Sequence, residues 1–95
     1  AVTVVLASAG YPGAVTTGHV IEGLDGARRR PGVTVFEVAT GTGADGRAVT
    51  AGGRVLDVVG MAPTVAGARA TAYDAAARIS WPGMHYRRDI AGGLA

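Results

Sequence analysis

Arg54-Val55-Leu56-Asp57-Val58-Val59, followed after four residues by Thr64-Val65-Ala66-Gly67-Ala68-Arg69-Ala70-Thr71-Ala72-Tyr73-Asp74-Ala75-Ala76-Ala77-Arg78-Ile79, decides the fold. The first stretch is β-branched and apolar, as in a strand. The second repeats apolar residues at spacings of three and four (Val65, Ala68, Ala72, Ala75 or Ala76, Ile79), so one helix over about 65–79 is predicted. Thr64 stands at its N-cap, Pro63 keeps the preceding chain out of it, and Trp81-Pro82-Gly83 is expected to stop it. Asp74 and Arg78 are four apart with the acid first, the better orientation for a helical ion pair.

Working outward, Val2-Thr3-Val4-Val5-Leu6-Ala7 reads as a strand covered on both faces, ended by the loop Ser8 to Gly13. Residues 14–32 read as irregular, with one helical turn between Gly23 and Arg29. Val33 to Val38 is a second strand, in which Thr34, Phe36 and Val38 share a face that Phe36 turns toward the core. Asp45-Gly46 marks a turn, and Arg47 to Thr50 its returning arm. The pair Gly52-Gly53 suggests a bulge or a close backbone approach. Met84 to Ile90 reads as a short extended segment, and Ala91 to Gly93 as a fraying end. The sum is a single α+β domain over residues 1–95, a small, mainly antiparallel sheet with one principal helix packed on it.

Composition bounds the function. At 95 residues and 9.4 kDa the chain makes one thin-cored domain, because 19 of its apolar residues are alanine. Ala1 in place of methionine is what a chain trimmed at its N-terminus would show. There is no cysteine, which excludes disulfides and thiol catalysis. No apolar run reaches the length of a membrane span, and no signal-peptide pattern is present, so no membrane partner is expected. All nine basic residues are arginines, and the net charge is +2. Two clusters and four single positions form no stripe, and the aromatics form no stacking pattern, so no nucleic-acid partner is expected either. Arg28-Arg29-Arg30 reads as a solvated loop. His19 and His85 lack a second ligand at metal spacing. The chain has no nucleophile elbow and no P-loop, and no residue set performs catalysis alone.

Three motifs stand out. Gly10-Tyr11-Pro12-Gly13 is a densely specified loop. Gly52-Gly53-Arg54 sets a guanidinium beside side-chain-free backbone, a combination that suits a phosphate or carboxylate. Tyr86-Arg87-Arg88-Asp89 sets an arginine pair beside an acid, able to grip an anion or a neighbouring domain. Each also reads as plain structure: a tight turn, a bulge with a solvated arginine, a surface ion pair.

Taken in order, Val4 to Ser8, Gly10-Tyr11-Pro12-Gly13, Gly18-x-x-Ile21-x-Gly23-Leu24, Asp45-Gly46, Val49 to Val58, Ala68-Arg69-x-x-Ala72-Tyr73 and Tyr86-Arg87-Arg88-Asp89-Ile90 resemble the C-terminal domain of the phosphoribosylamine–glycine ligase family over nearly the whole chain. This sequence departs from the family's pattern at Val15-Thr16, where a second aromatic is common, and at Ala91, where a glycine is. The resemblance implies a piece of a cytoplasmic, ATP-dependent ligase of the ATP-grasp class that joins glycine to 5-phosphoribosylamine in purine biosynthesis. It implies as partners the N-terminal and ATP-grasp domains of the same polypeptide, with ATP and Mg or Mn held there and none in this chain. The domain is then expected to help close the active site and bind the substrate phosphate, without activity alone. Gly52, Gly53, Arg54, Arg87 and Arg88 are the expected substrate-binding residues, and Gly10, Tyr11, Pro12 and Gly13 the loop beside them. The alternative is a stand-alone domain of the same fold that binds small anions or another protein.

Overall fold

The structure is a computed structural model and describes residues 1–88. Seven elements follow in order: β1 (Val2–Ala7), α1 (Leu24–Arg28), β2 (Val33–Glu37), β3 (Thr40–Thr42), β4 (Ala48–Thr50), β5 (Arg54–Gly60) and α2 (Val65–Ala77). β1, β5 and β2 form a three-stranded antiparallel sheet in that order, with Val4 and Val35 both opposite Val58. β3 and β4 form a separate antiparallel hairpin, Thr40 opposite Thr50. The expected α+β domain with a small antiparallel sheet and one principal helix is therefore what the chain adopts.

α2 lies across one face of the three-stranded sheet. Val2, Val4 and Leu6 of β1, Leu56 and Val58 of β5, and Val35 of β2 are buried there with Ala68, Ala72, Ala75 and Ala76 of the helix. Each fully buried Val or Leu is worth about 1.5–3 kcal/mol, so the buried Val and Leu residues, with Ile21, Ile79 and Trp81, carry a core to which α2 contributes only alanine. Alanine allows the close approach. A Cβ placed on Gly60 would overlap Ala68 O and Ala72 N and fall 2.9 Å from Ala72 Cα, so at this point only hydrogen separates strand from helix.

Thr64 caps α2 as expected, its hydroxyl accepting from Gly67 N at 3.0 Å. Asp74 pairs with Arg78 at 3.3 Å. The helix ends at Ala77, two residues short of the expected Ile79. Ser80 and Glu22 exchange backbone hydrogen bonds (Glu22 N to Ser80 O 2.8 Å, Ser80 N to Glu22 O 3.0 Å), and this bridge draws the chain away before Trp81-Pro82-Gly83 is reached. Ile79 is still buried, whereas Val65 at the first turn is exposed and does not belong to the inward stripe.

Two facing expectations are corrected. The sheet has a helix on one side only, so β1 is not covered on both faces: Thr3 is exposed and Val5 half-buried. Phe36 does not point to the core and is 57% exposed. Its register partner is Asp57, on the face opposite α2, whereas Val35 opposite Val58 takes the inward place. Residues 18–21, read as irregular, run beside β4 through Gly18 N to Thr50 O, Thr50 N to His19 O and Ile21 N to Ala48 O. Met84 to Arg88 contains one bridge, His85 to Ala7, in place of an extended strand. Asp89, Ile90 and the expected fraying end at 91–93 lie outside the described residues.

Candidate functional site

The site begins with an irregularity in β5. Leu6 faces Leu56, but Ala7 faces Arg54, so Val55 is skipped. An extra residue in one strand turns everything before it to the other face. With the bulge, Arg54 stands on the uncovered side, in line with Asp57 and opposite Ala7. In an unbroken register it would have faced the helix. The bulge thus sits at Val55, one residue beyond Arg54, not at the Gly52-Gly53 pair.

The two glycines serve a close approach instead. A Cβ on Gly53 would collide with the Tyr11 ring, lying 3.1 Å from Cε1 and 3.4 Å from Cγ, and one on Gly52 would meet the Ala39 methyl at 2.8 Å. The Tyr11 ring therefore lies against the bare backbone of Gly53. The carbonyls tie the same loop down: Ser8 Oγ donates to Gly52 O at 2.7 Å and Ser8 N to Gly53 O at 2.8 Å. The Tyr11–Pro12 peptide bond is cis, and Gly10 at φ +90° completes the turn.

The third motif arrives from the far end of the chain. His85 exchanges backbone hydrogen bonds with Ala7 (2.9 and 3.0 Å), and its Nε2 donates to Ser8 O at 3.0 Å, since a carbonyl can only accept. α2 then straps the segment that follows. Tyr73 Oη donates to Arg87 O at 2.6 Å, Arg69 Nη2 donates to Arg88 O at 3.0 Å, and the Tyr73 and Tyr86 rings stand 6.1 Å apart. The carbonyl of Arg87 is held by the helix, and its residue reaches the same hollow as Arg54.

That hollow is a cleft of about 270 Å³ lined by Val5, Ala7, Tyr11, Arg54, His85 and Arg87. Arg54 is half-exposed there, its Nη2 3.9 Å from Asp57 Oδ1. Arg88 turns elsewhere, its guanidinium 4.8 Å from the centre of the Tyr86 ring. The structure thus brings together Tyr11, Arg54 and Arg87 of the expected residues, places Gly53 against Tyr11 and Gly52 against Ala39, and sets Arg88 outside the lining. Sequence reasoning missed His85, Val5 and Ala7. No local pattern marks them, because their juxtaposition is a pairing between the two ends of the chain.

A larger hollow of about 490 Å³ lies between α1 and the β3–β4 hairpin, lined by residues including Ile21, Leu24, Arg28, Glu37 and Arg47. Both arginines that line it are paired with acids. Arg28 meets Glu37 at 3.1 Å, and Arg47 meets Asp45 at 2.7 Å and Glu22 at 3.5 Å. The Thr40 hydroxyl, donating to Glu37 at 2.8 Å, and then the Arg28 guanidinium hold the Glu37 carboxyl below its ordinary value. The smaller cleft, with two arginines and an aromatic wall, is the better seat for an anion. Among the described residues no group of three or more His, Asp or Glu stands together to hold a metal ion. No helix among them is long and apolar enough to cross a membrane.

Comparison with known proteins adds the following. The family model described as "Phosphoribosylglycinamide synthetase, C domain" matches residues 1–93. The phosphoribosylamine–glycine ligase of Neisseria meningitidis is 48% identical over 91 residues, covering 96% of this chain and 21% of that protein. The chloroplastic phosphoribosylamine–glycine ligase of Arabidopsis thaliana is 45% identical over 91 residues, covering 95% of this chain and 17% of that one. A crystal structure of the Thermotoga maritima phosphoribosylamine–glycine ligase superposes with a TM-score of 0.80 at 38% identity, covering 94% of this chain and 21% of that chain. The chain spans about a fifth of the length of these relatives.

Proposed function

The chain belongs to the phosphoribosylglycinamide synthetase C-domain family, and from that premise we propose that it serves a longer ATP-dependent ligase as the domain that grips a substrate phosphate. In this reading the ligase joins glycine to 5-phosphoribosylamine, in the cytoplasm, and this domain helps close its active site. The observation that carries the reading is the cleft holding Arg54, Arg87 and Tyr11 together. A guanidinium offers two parallel N–H donors matched to two phosphate oxygens and stays charged at any working pH. Arg54 is the principal ligand, Arg87 its support, and Arg88 the weaker candidate. Gly53 acts by seating Tyr11, whose ring walls the cleft, and Gly52 by accepting from the Ser8 hydroxyl of the same loop. ATP and Mg²⁺ or Mn²⁺ belong, in this reading, to the ATP-grasp portion of the longer ligase.

The test is steady-state kinetics of Arg54→Ala in the full-length ligase. A charge-assisted hydrogen-bonded contact is worth about 1.5–3 kcal/mol, or about 10- to 150-fold in affinity. A phosphate handle remote from the reacting amine makes equal contact in ground and transition states, so the loss appears in the KM for phosphoribosylamine and not in the KM for ATP. Arg54→Lys recovers little, because the ammonium lacks the two-pronged geometry. An unchanged phosphoribosylamine KM with the fold intact removes Arg54 from the phosphate site.

A further inference from the structure

Val5, Ala7 and Arg54 are fixed in the cleft by the ladder between β1 and β5. Residues 84–88 have no such ladder, and side chains of α2 take its place. His85 is pinned to Ala7 by backbone hydrogen bonds of 2.9 and 3.0 Å. Beyond it, the Arg87 carbonyl accepts from Tyr73 Oη at 2.6 Å, and the Arg88 carbonyl accepts from Arg69 Nη2 at 3.0 Å. Arg69 and Tyr73 are four apart, so both stand on one flank of the helix. The segment alternates in consequence. His85 and Arg87 line the cleft, whereas Tyr86 packs against the core beside Tyr73 and Arg88 folds over the Tyr86 ring.

We infer that Tyr73 is a positioning residue for Arg87: through the Arg87 carbonyl it fixes the direction in which that guanidinium enters the cleft. The inference rests on the phosphate reading above and deepens it. Peptide units are planar, so a pinned carbonyl fixes a whole unit of the chain. Hydrogen bonds hold the units of His85 on one side of Arg87 and the unit that follows Arg87 on the other. Between two held units the Cα–Cβ bond of Arg87 is left one direction, toward Arg54 and Tyr11. Tyr73 is not itself part of the cleft lining, so its hydroxyl acts on a bound phosphate through Arg87. A guanidinium that enters the cleft only part of the time lowers the apparent affinity in proportion to that fraction.

A double-mutant cycle in the full-length ligase tests this, with steady-state kinetics of the parent, Tyr73→Phe, Arg87→Ala and the two combined. Phenylalanine keeps a ring against Tyr86 and loses only the donor. Tyr73→Phe is expected to raise the KM for phosphoribosylamine by about 2- to 12-fold, the reach of one neutral hydrogen bond. The KM for ATP and kcat stay at parent values, and with Arg87 already alanine the substitution adds nothing further. A general weakening of the fold would act equally in both backgrounds, so an equal effect with and without Arg87 overturns the inference. Hydrogen exchange of the peptide spanning residues 84–88 in the native ligase gives a readout independent of turnover. It is expected to quicken in Tyr73→Phe, and parent-like exchange also overturns the inference. The two readings fail in different ways. An unchanged phosphoribosylamine KM in both Arg54→Ala and Arg87→Ala removes the phosphate site and this role with it. A raised KM in both, beside a flat one in Tyr73→Phe, removes the role of Tyr73 alone.

Discussion

Gly60→Ala isolates how this small core is held together. Gly60 lies at the end of β5, opposite Val2 and Val33, with the α2 backbone against it. A methyl there would overlap Ala68 O and Ala72 N, and even Ala72 Cα, the third neighbour, would be 2.9 Å away. All three atoms are backbone, so no side chain can swing clear and the whole helix must retreat. A gap of about 0.5–1 Å forfeits a quarter to a half of each dispersion contact it opens. Here those contacts join Ala68, Ala72, Ala75 and Ala76 to β1 and β5. Overpacking of this kind costs about 1–3 kcal/mol, and the rigid partners put Gly60→Ala near about 3 kcal/mol. For a domain of this size that is a fall of about 12–24 °C in Tm. Gly60 has no positive φ, so alanine carries no conformational strain there. On its own, the reduced freedom of the unfolded chain would make the variant more stable, by about 0.4–1 kcal/mol. The predicted sign is therefore steric alone. Gly26→Ala is the matched control: it lies in α1 with nothing within 4 Å of the added methyl, and gains up to about 1 kcal/mol. Urea unfolding followed by circular dichroism measures both. A Gly60→Ala domain as stable as the parent would refute the view that bare backbone contact seats α2.

Thr64→Ala removes the hydroxyl that accepts from Gly67 N and costs about 1 kcal/mol, seen as a Tm about 4–8 °C lower; an unchanged Tm means the cap contributes nothing. The Glu37 carboxyl is held below its ordinary 4.5, first by the Thr40 hydroxyl and then by Arg28. A depressed carboxylate stabilises the fold fully above the unfolded value and ceases to do so as pH falls through the folded one. Thr40→Val should therefore move the Glu37 titration up toward 4.5 and flatten the acid limb of stability below that pH. Carbon-detected NMR titration of the Glu37 carboxyl checks it, and an unmoved midpoint contradicts the assignment.

The elements were legible because their signals are local. The β-branched runs at 2–7 and 54–59, the Asp45-Gly46 turn, the Thr64 cap and the spacing of Ala68, Ala72, Ala75 and Ala76 each depend on a few neighbouring residues, and each formed as read, the second strand running one residue further to Gly60. The motifs that carry the family likeness were likewise plain in the chain. What lay beyond the sequence was every question of facing and meeting. Alternation in β2 separates Val35 from Phe36 but is silent on which of them looks at the helix; the register against β5 and a single covering layer turn Phe36 outward. Gly52-Gly53 advertised an irregularity that falls at Val55, where the pairing of β1 with β5 skips a residue and thereby delivers Arg54 to the open side. Trp81, read only as part of the helix stop, is buried in the core. Arg87 meets Arg54 and Tyr11 only because His85 pairs with Ala7 and Tyr73 of α2 binds the Arg87 carbonyl. The residue pattern set by itself which segments would be strand, turn and helix, since backbone preference and periodicity act within a few residues. The cleft was decided by the tertiary structure alone, because it is built from contacts among residues 5–11, Arg54 and residues 85–87, whose register no local pattern encodes.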